Sequence, residues 1–356
     1  MSLHILFPNY KNYSAHENSY VPIYTKLAKK IKRQIYFYVS KDNNVNFNNK
    51  IRVFKNVKDK TLIQKIKVII YNINVLILFF NKNKHDKKTY LLDGISITFV
   101  ISVIVSCLFI KLKSNNFLIY YREPYFLNYF KKYLFSLLFY FVKKKFKSLI
   151  VLTDTIQLKK KINQKHNVQV FLLPIPHIFK SMTSKISNKK KIEILIPGQY
   201  RNDKNKKNVI NFIHNNLDED FIVRLSRNYN INIPKKTEQI LEILSSKEYE
   251  KVFRRATIII LPRSTEKYFY SSSGVFIEAI SLNKICFVSD NTWMAEILKK
   301  NKLNSLVINK WEELKINKIR TIIKNKKIRS SFNVLKNKIV SKNNPNVFIN
   351  EIKKIL

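Results

Sequence analysis

Glycine is scarce in this chain of 356 residues, which contains only Gly94, Gly198 and Gly274. An average usage of about 7% would give roughly 25 glycines. Glycine alone adopts positive φ without steric cost, and its missing Cβ lets a phosphate or another backbone come close. We therefore expect each remaining glycine to lie where a Cβ does not fit. Gly198 and Gly274 each follow a predicted strand, which favours a site that binds phosphate.

Cysteine is also rare, and its placement excludes a disulfide framework. Cys107 and Cys286 lie far apart in the sequence, within the apolar runs ISVIVSCLFI and NKICFVSD. Single cysteines in such surroundings are typical of small buried side chains, and this pair has no metal-binding spacing. The sequence therefore predicts two buried free thiols and no metal site.

Acidic residues are few, with 23 Asp and Glu against 67 Lys and Arg, so the formal net charge is +44. Clustered cations ordinarily indicate nucleic acid or an anionic membrane as the partner. Here lysine is scattered over nearly every segment and accompanies an excess of Asn, Ile, Tyr and Phe, as in a chain under strong A+T codon pressure. We interpret most of this charge as a solvated surface, with a dedicated polyanion site as the alternative.

Two apolar segments raise the question of membrane contact. Gly94–Ile110 has 17 residues without a charge, the lower end of spanning length, yet its Ser, Thr and β-branched content suits a helix buried against a sheet. We predict the buried helix and keep a membrane span as the alternative. Tyr133–Val142 lies between lysine clusters and is too short to span. We expect Lys131–Lys147 to rest on an anionic membrane surface, with a core helix as the alternative.

Strand-like runs alternate with helix-length segments along the chain, as in LHILFP before AHENSYVPIYTKLAKKI and IEILIP before KKNVINFIHNN. The N-terminal run has no basic region ahead of it, so we expect a first strand and not a secretory signal. Alternation of this kind predicts an α/β fold with parallel strands and crossover helices, in two Rossmann-like doubly wound domains facing across a cleft. We place the domains at 1–180 and 191–325, with a linker at 181–190. Basic helices at 326–356 follow, and packing back on the first domain is one placement for them.

Two segments of the second domain, PGQYRNDKN and SSSGVFIEAISLNKICFVSDNTWMAEIL, resemble retaining, family-4-type glycosyltransferases of the GT-B fold. The resemblance implies that the second domain binds a nucleotide-sugar and the first domain holds the acceptor. It also implies that the sugar is transferred with retention, without a metal or another cofactor. One position departs from the family pattern, because Tyr270 stands where the first of two family glutamates would be, whereas Glu278 matches the second.

The residues around Gly274 support a donor site on physical grounds as well. Ser271–Ser273 precede Gly274 at a predicted helix start, where free N–H groups and the positive end of the helix dipole favour a diphosphate. Glu278 lies one turn further on, and its carboxylate can accept hydrogen bonds from the hydroxyls of a ribose. Ordinary helix capping is the alternative for the serines, and a solvated helix surface is the alternative for Glu278.

The remaining site residues follow from the resemblance and from their positions at strand ends. Gly198 would let the chain turn, while Arg201 and Lys204 direct positive charge at the donor phosphates; Gln199 replaces the arginine that the family commonly has. The full set of predicted donor-binding residues is Gly198, Tyr270, Ser272, Ser273, Gly274, Val275 and Glu278, and the predicted catalytic residues are Arg201, Lys204 and Glu278.

On the acceptor side we predict His16, Glu17, Arg122 and Glu123, because each pair follows a predicted strand. Asp93–Gly94 is either a turn or a further acceptor contact.

The predicted function is sugar transfer from a nucleotide-sugar to a hydroxyl of a surface glycan, such as lipopolysaccharide or capsule, or of a lipid-linked acceptor. We expect the protein in the cytoplasm, peripheral on the cytoplasmic face of the membrane. A nucleotide-sugar epimerase on the same fold is the first alternative. The second is a basic nucleic-acid-binding protein, for which the sequence has no reading motif; we therefore expect no nucleic-acid partner.

Overall fold

The computed structural model describes residues 2–9, 15–56, 61–82, 87–177, 191–198, 205–240 and 246–356, with the backbone alone at 15–19 and 246–247. The chain forms two compact units. The first comprises Met1–Pro176 together with Pro345–Leu356, and the second comprises His177–Asn344.

The first unit is built on a sheet of seven parallel strands in the order β3-β2-β1-β4-β5-β6-β7. Its strands are β1 (Ser2–Phe7), β2 (Gln34–Ser40), β3 (Lys50–Phe54), β4 (Lys88–Leu92), β5 (Leu112–Tyr120), β6 (Phe146–Thr153) and β7 (Gln169–Leu172). Its first helices are α1 (Ala15–Lys30), α2 (Leu62–Lys82), α3 (Ile97–Phe109), α4 (Tyr129–Lys145) and α5 (Ile156–Lys165). The order reverses between β1 and β4, so the loops after these two strands lie side by side. Asn9 Nδ2 donates to the carbonyl oxygen of Gly94 there, at 2.7 Å.

The second unit is built on six parallel strands in the order β10-β9-β8-β11-β12-β13. Its strands are β8 (Ile192–Ile196), β9 (Phe221–Ser226), β10 (Thr237–Ile240), β11 (Ile258–Leu261), β12 (Ile285–Ser289) and β13 (Val307–Ile308). Its helices are α6 (Lys206–His214), α7 (Ser246–Arg255), α8 (Thr265–Tyr270), α9 (Gly274–Ser281), α10 (Trp293–Lys300), α11 (Ile316–Lys324) and α12 (Lys326–Lys342). Here the order reverses between β8 and β11, and ligands of doubly wound sheets bind beyond the carboxyl ends at such a point.

The last helix, α13 (Pro345–Ile355), belongs to the first unit. Its side chains Phe348, Ile349 and Ile352 are buried in the same core as residues of β1, β2 and α1. The Phe348 ring lies 5.9 Å from that of Tyr24, edge to face. The basic helices beyond residue 326 are therefore divided, because α12 is part of the second unit and α13 is part of the first.

Within the apolar segment Gly94–Ile110, Ile97–Phe109 forms the helix α3, whose inner side is buried as predicted, whereas Leu108 and Phe109 at its end are exposed. Ser96 caps it by accepting from the Phe99 N–H at 3.3 Å, and Phe99, Val100, Val103 and Cys107 are buried. Ser102 and Ser106 are small side chains on the side of α3 that faces α2. Their hydroxyls donate to the carbonyl oxygens of Ile69 and Ile73, at 3.3 and 3.4 Å. Small residues four apart allow this close approach of the two helices.

Other local predictions can be compared directly with the structure. Cys107 and Cys286 are buried and free, as expected. Gly94 and Gly198 have φ of 74° and 79°, where a Cβ is disfavoured. Gly274 differs, because it is the first residue of α9 and lies outside the described positions of positive φ.

Two elements of the first unit were not predicted, β3 and α2. The strand β3 lies at the edge of the sheet and carries Lys50 and Arg52, so it has no apolar run. The helix α2 is apolar on two sides. Its stripe at 68, 72, 76 and 80 is buried, whereas Ile66, Ile70 and Leu78 on the opposite side are exposed. The sequence of α2 therefore does not show the one apolar stripe by which a helix packed on one side is predicted.

Candidate functional site

The helix α9 starts at Gly274, where the sequence predicted a helix start after three serines. Ser271 and Ser273 are buried, while Ser272, Gly274 and Val275 are partly exposed at the first turn. The hydroxyl oxygen of Ser273 accepts from the Phe276 N–H at 3.3 Å, so this serine acts as the helix cap. The backbone of Ser271 ends α8 by donating to the carbonyl oxygen of Lys267. Capping therefore accounts for Ser273, and Ser272, Gly274 and Val275 are the partly exposed residues of this turn.

Glu278 is partly exposed one turn further on and has a partner that the sequence did not reveal. The hydroxyl of Tyr249, on α7, donates to Glu278 Oε2 at 2.9 Å. Burial raises the pKa of Tyr249 well above its ordinary value, and the neighbouring carboxylate adds to the rise while Arg263 opposes it. The phenol thus stays protonated and keeps donating, which orients the carboxylate of Glu278.

Tyr270 ends α8, a few residues before the start of α9. It is partly exposed and packs edge to face with Phe269, at 5.0 Å between ring centroids. Gly198 ends its described segment with positive φ. Gln199, Arg201 and Lys204 lie outside the described residues.

A cavity of about 760 Å³ lies within the second unit, at the carboxyl ends of its central and edge strands. Its lining includes Asn205, Lys206 and Lys207 at the start of α6, Arg263 after β11, and Asp290 after β12. Asn205 holds the two sides together, since its N–H donates to the carbonyl oxygen of Pro262 at 3.0 Å. Arg263 was not predicted, because nothing in the sequence separates it from the other basic residues.

In the first unit, Asp93 and Arg122 form an ion pair beyond the ends of β4 and β5, with Arg122 Nη2 at 3.1 Å from Asp93 Oδ2. The hydroxyl of Tyr24 donates to the same oxygen at 3.1 Å. The guanidinium also stacks on two rings, with Cζ 4.3 Å from the Tyr20 centroid and 3.9 Å from that of Tyr120. Burial raises the pKa of Asp93, and Arg122 and Tyr24 oppose the rise.

This cluster joins two residues that the sequence named separately. Asp93 is buried, while Arg122 keeps about a quarter of its side chain exposed, so only Arg122 can also reach a ligand. The neighbouring Glu123 is exposed. His16 and Glu17 lie in the first turn of α1, and their side chains are outside the described part of the structure. Within that part, no group of three or more His, Cys, Asp or Glu side chains is arranged to hold a metal ion.

The outer surface of the first unit is unusually apolar. Exposed large side chains occur on α2, at the end of α3 and along α4, namely Leu62, Ile63, Ile66, Ile70, Leu78, Leu108, Phe109, Tyr129, Phe130, Tyr133, Leu137 and Tyr140. Among the described helices, α2 alone is long and apolar enough to cross a membrane by length and composition. Its inner side is fixed to the sheet, because Asn72 exchanges two hydrogen bonds of 3.0 Å with the backbone of Lys55.

No family model and no curated protein matches the chain, whereas many solved structures have the same fold. HepE from Anabaena, solved with UDP and glucose, superimposes with a TM-score of 0.68 at 10% identity, over 100% of this chain and 99% of that one. The lipopolysaccharide outer core galactosyltransferase WaaB gives 0.65 at 9% identity, over 99% and 98%. A structure from Listeria monocytogenes, described as that of a putative UDP-N-acetylglucosamine 2-epimerase, superimposes with a TM-score of 0.59 at 11% identity, over 99% of this chain and 94% of that one. These likenesses establish the fold: the chain consists of two doubly wound parallel α/β units of the GT-B type.

Proposed function

We propose that this protein is a glycosyltransferase that moves a sugar from a nucleotide-sugar to an acceptor hydroxyl. The observation that carries the proposal is the start of α9, where a partly exposed helix N-terminus at Ser272, Gly274 and Val275 is followed one turn later by the carboxylate of Glu278. A diphosphate suits the first feature and a ribose suits the second. The likeness to HepE, which was solved with UDP and glucose, supports this arrangement of ligand groups.

In this proposal the chain lowers the barrier by stabilising the leaving nucleoside diphosphate. The N–H groups of the α9 start bind the diphosphate, and Lys204 and Arg201 supply positive charge as its negative charge grows. Both side chains lie outside the described residues, so their roles rest on the resemblance of PGQYRNDKN to the family loop. Retention of configuration rests on the same resemblance.

For the acceptor we propose a surface glycan or its lipid-linked precursor. The likeness to a lipopolysaccharide galactosyltransferase supports this class. Arg122 is the described residue best suited to contact it, because its guanidinium is held in place by Asp93 and two tyrosine rings and remains partly exposed.

A screen of nucleotide-sugars by thermal shift tests the donor, since a ligand that binds only the folded state raises stability by RT ln(1 + [L]/Kd). The best donor is then incubated with isotope-labelled sugar and a panel of glycan and lipid-linked acceptors. The proposal requires label to appear in an acceptor. Absence of binding by every nucleotide-sugar would refute it.

An epimerase is the second candidate, because the solved structures with this fold include a UDP-N-acetylglucosamine 2-epimerase. The two functions differ in their need for an acceptor. Consumption or isomerisation of the donor without any acceptor, followed by chromatography, would favour the epimerase. Strict dependence on the acceptor favours the transferase.

We further propose that the protein works in the cytoplasm, at the membrane surface, with the outer sides of α2 and α4 as its contact. The aliphatic stripe of α2 and the aromatic side chains of α4 suit shallow insertion, and Lys131, Lys132 and Lys143–Lys145 suit anionic headgroups. Because Asn72 and the buried stripe tie α2 to the sheet, we expect α2 to lie on the membrane and not to cross it. A lipid-linked acceptor would be concentrated at this surface.

Vesicle sedimentation tests this placement. We expect binding to vesicles with anionic lipid, weaker binding to neutral vesicles, and release at high salt or in alkaline carbonate. Replacing Ile66, Ile70 and Leu78 by serine should weaken binding, while serine at the exposed Val334 of the second unit should not. Equal binding of all variants would refute the α2 contact, and retention until detergent is added would indicate a spanning helix.

A further inference from the structure

The chain contains only two tryptophans, Trp293 and Trp311, and they differ in exposure. Trp311 is buried, and its indole N–H donates to the hydroxyl oxygen of Ser289 at 3.2 Å, so its polar atom is satisfied inside the second unit. Trp293 is the first residue of α10 and is partly exposed. Part of its indole is therefore open to solvent, and an aromatic surface of this kind can pack against a ligand.

The local structure holds Trp293 beside the start of α9. Thr292 caps α10, because its hydroxyl oxygen accepts from a backbone N–H of the first turn at 3.2 Å while its own O–H donates to the carbonyl oxygen of Ser289 at 2.8 Å. The Trp293 ring lies edge to face with that of Phe276, at 6.0 Å between centroids. Phe276 is fully buried in the first turn of α9, so this contact places the indole next to that turn.

Trp293 and Glu278 lie on different sides of α9. Phe276 comes two residues before Glu278, and at 3.6 residues per turn their side chains leave the helix about 160° apart. The contact with Phe276 therefore places Trp293 away from the carboxylate. The helix start at Gly274 is the point from which both sides can be reached.

We propose that Trp293 packs on the sugar of the donor and thereby helps to select it. A nucleotide-sugar has the order ribose, diphosphate, sugar. With the diphosphate at the α9 start and the ribose at Glu278, the sugar at the opposite end of the diphosphate extends toward the side on which Trp293 lies. A hexose ring has faces of C–H groups that pack on an aromatic ring. The inference rests on the proposed function for the positions of the diphosphate and the ribose.

Binding of nucleotides with and without a sugar, measured by calorimetry, tests the inference. The probes are UDP, GDP and ADP, each alone and as its glucose derivative, together with UDP-galactose, UDP-N-acetylglucosamine and GDP-mannose. We expect Trp293→Ala to bind the best nucleotide-sugar about five- to tenfold more weakly than the parent protein, because the contact with the sugar is lost. Its affinity for the matching free nucleoside diphosphate should stay within about twofold.

Two further variants show whether the effect belongs to the ring of Trp293. Trp293→Phe keeps a smaller aromatic ring and should recover part of the lost affinity. Phe269→Ala is the control, because it removes a ring of the same unit that is 43% exposed on α8, and it should leave both affinities unchanged.

The fluorescence of Trp293 gives a readout that a purely structural residue would not give. The difference in emission between the parent and Trp293→Phe separates the signal of Trp293 from that of Trp311. We expect the nucleotide-sugar to shield Trp293 from quenching by acrylamide, and the free nucleoside diphosphate to leave the quenching nearly unchanged.

Several outcomes would overturn the inference. Equal weakening of both ligands in Trp293→Ala, with a lower melting temperature, would make Trp293 a structural residue that supports Phe276. Parental affinity of Trp293→Ala for the nucleotide-sugar, or the same loss in Phe269→Ala, would exclude a specific contact with the sugar. If Trp293→Ala does not fold, Trp293→Leu, which keeps apolar volume without a ring, decides by the same comparison.

The proposed function and this inference fail on different results. Trp293-dependent binding of a nucleotide-sugar whose sugar is never transferred to an acceptor would refute sugar transfer alone. Transfer that is unaffected by Trp293→Ala, both in donor affinity and in the choice among donor sugars, would refute the role of Trp293 alone. Absence of binding by every probe would refute both.

Discussion

Replacement of Glu278 by alanine tests the assignment of this carboxylate to a ribose. The side chain is partly exposed, and one of its oxygens already accepts from Tyr249 at 2.9 Å. A carboxylate has about four lone-pair sites, so it can accept from several donors at once. Hydrogen bonds to a charged group contribute about 1.5–3 kcal/mol, and their loss corresponds to a Kd raised roughly 10- to 150-fold.

Calorimetry with the nucleoside diphosphate of the best donor measures this loss. Tyr249→Phe keeps the carboxylate but removes the group that orients it, so we expect a smaller effect, within about tenfold. Glu296→Ala is the control, because Glu296 is an exposed carboxylate on α10 with Lys300 at 3.7 Å. The penalty of Glu278→Ala should disappear when the nucleotide lacks its ribose 2′- and 3′-hydroxyls.

The reasoning fails if a folded Glu278→Ala protein binds the nucleotide with parental affinity. It also fails if the penalty is the same for the dideoxy nucleotide, since the carboxylate would then act on another part of the ligand. Circular dichroism and the melting temperature without ligand separate either result from misfolding.

Three other perturbations have definite expected outcomes. Lys204→Ala should lower turnover about 10- to 100-fold with a smaller change in donor affinity, and full turnover would transfer the role to Arg201. Arg122→Met leaves buried Asp93 without its cation, a change that typically lowers the free energy of unfolding by about 3–5 kcal/mol. We expect the lower end of this range because Arg122 is partly exposed. In urea titrations, adding Asp93→Asn should recover part of the lost stability. Burial lowers the pKa of His177 to about 4. Between pH 6.5 and 4 the unfolded chain therefore binds more protons than the folded chain, so lowering the pH should reduce the free energy of unfolding by at most about 3 kcal/mol. The variant His177→Asn should not show this pH dependence.

Local patterns in the sequence were sufficient for the fold class and for the start of α9. Alternating strand and helix runs predicted parallel α/β layers, and both sheets are parallel throughout their described strands. The serines before Gly274 predicted a helix start, which the cap of Ser273 confirms. These features depend on residues close in sequence, because caps and crossover units are local.

Contacts between distant elements could not be predicted in the same way. Tyr249 and Glu278 are 29 residues apart on two helices, and their hydrogen bond depends on how α7 and α9 pack. Asp93 and Arg122 are also 29 residues apart, and the pairing of β4 with β5 brings their strand ends together. The sequence identified Asp93 and Arg122 as polar residues after strands, but it did not contain the sheet order that makes them partners.

In a chain with 67 basic residues, the presence of an arginine says little about its role, whereas the groups that it contacts say much. Arg224 has two glutamates, and Arg122 has an aspartate and two aromatic rings. Arg263 has a tyrosine ring and two donors that no described group accepts. Desolvation opposes folding in all three cases, and internal pairing offsets it in the first two. Internal pairing therefore does not account for Arg263, which lies at the carboxyl end of β11, one of the two strands between which the sheet order reverses.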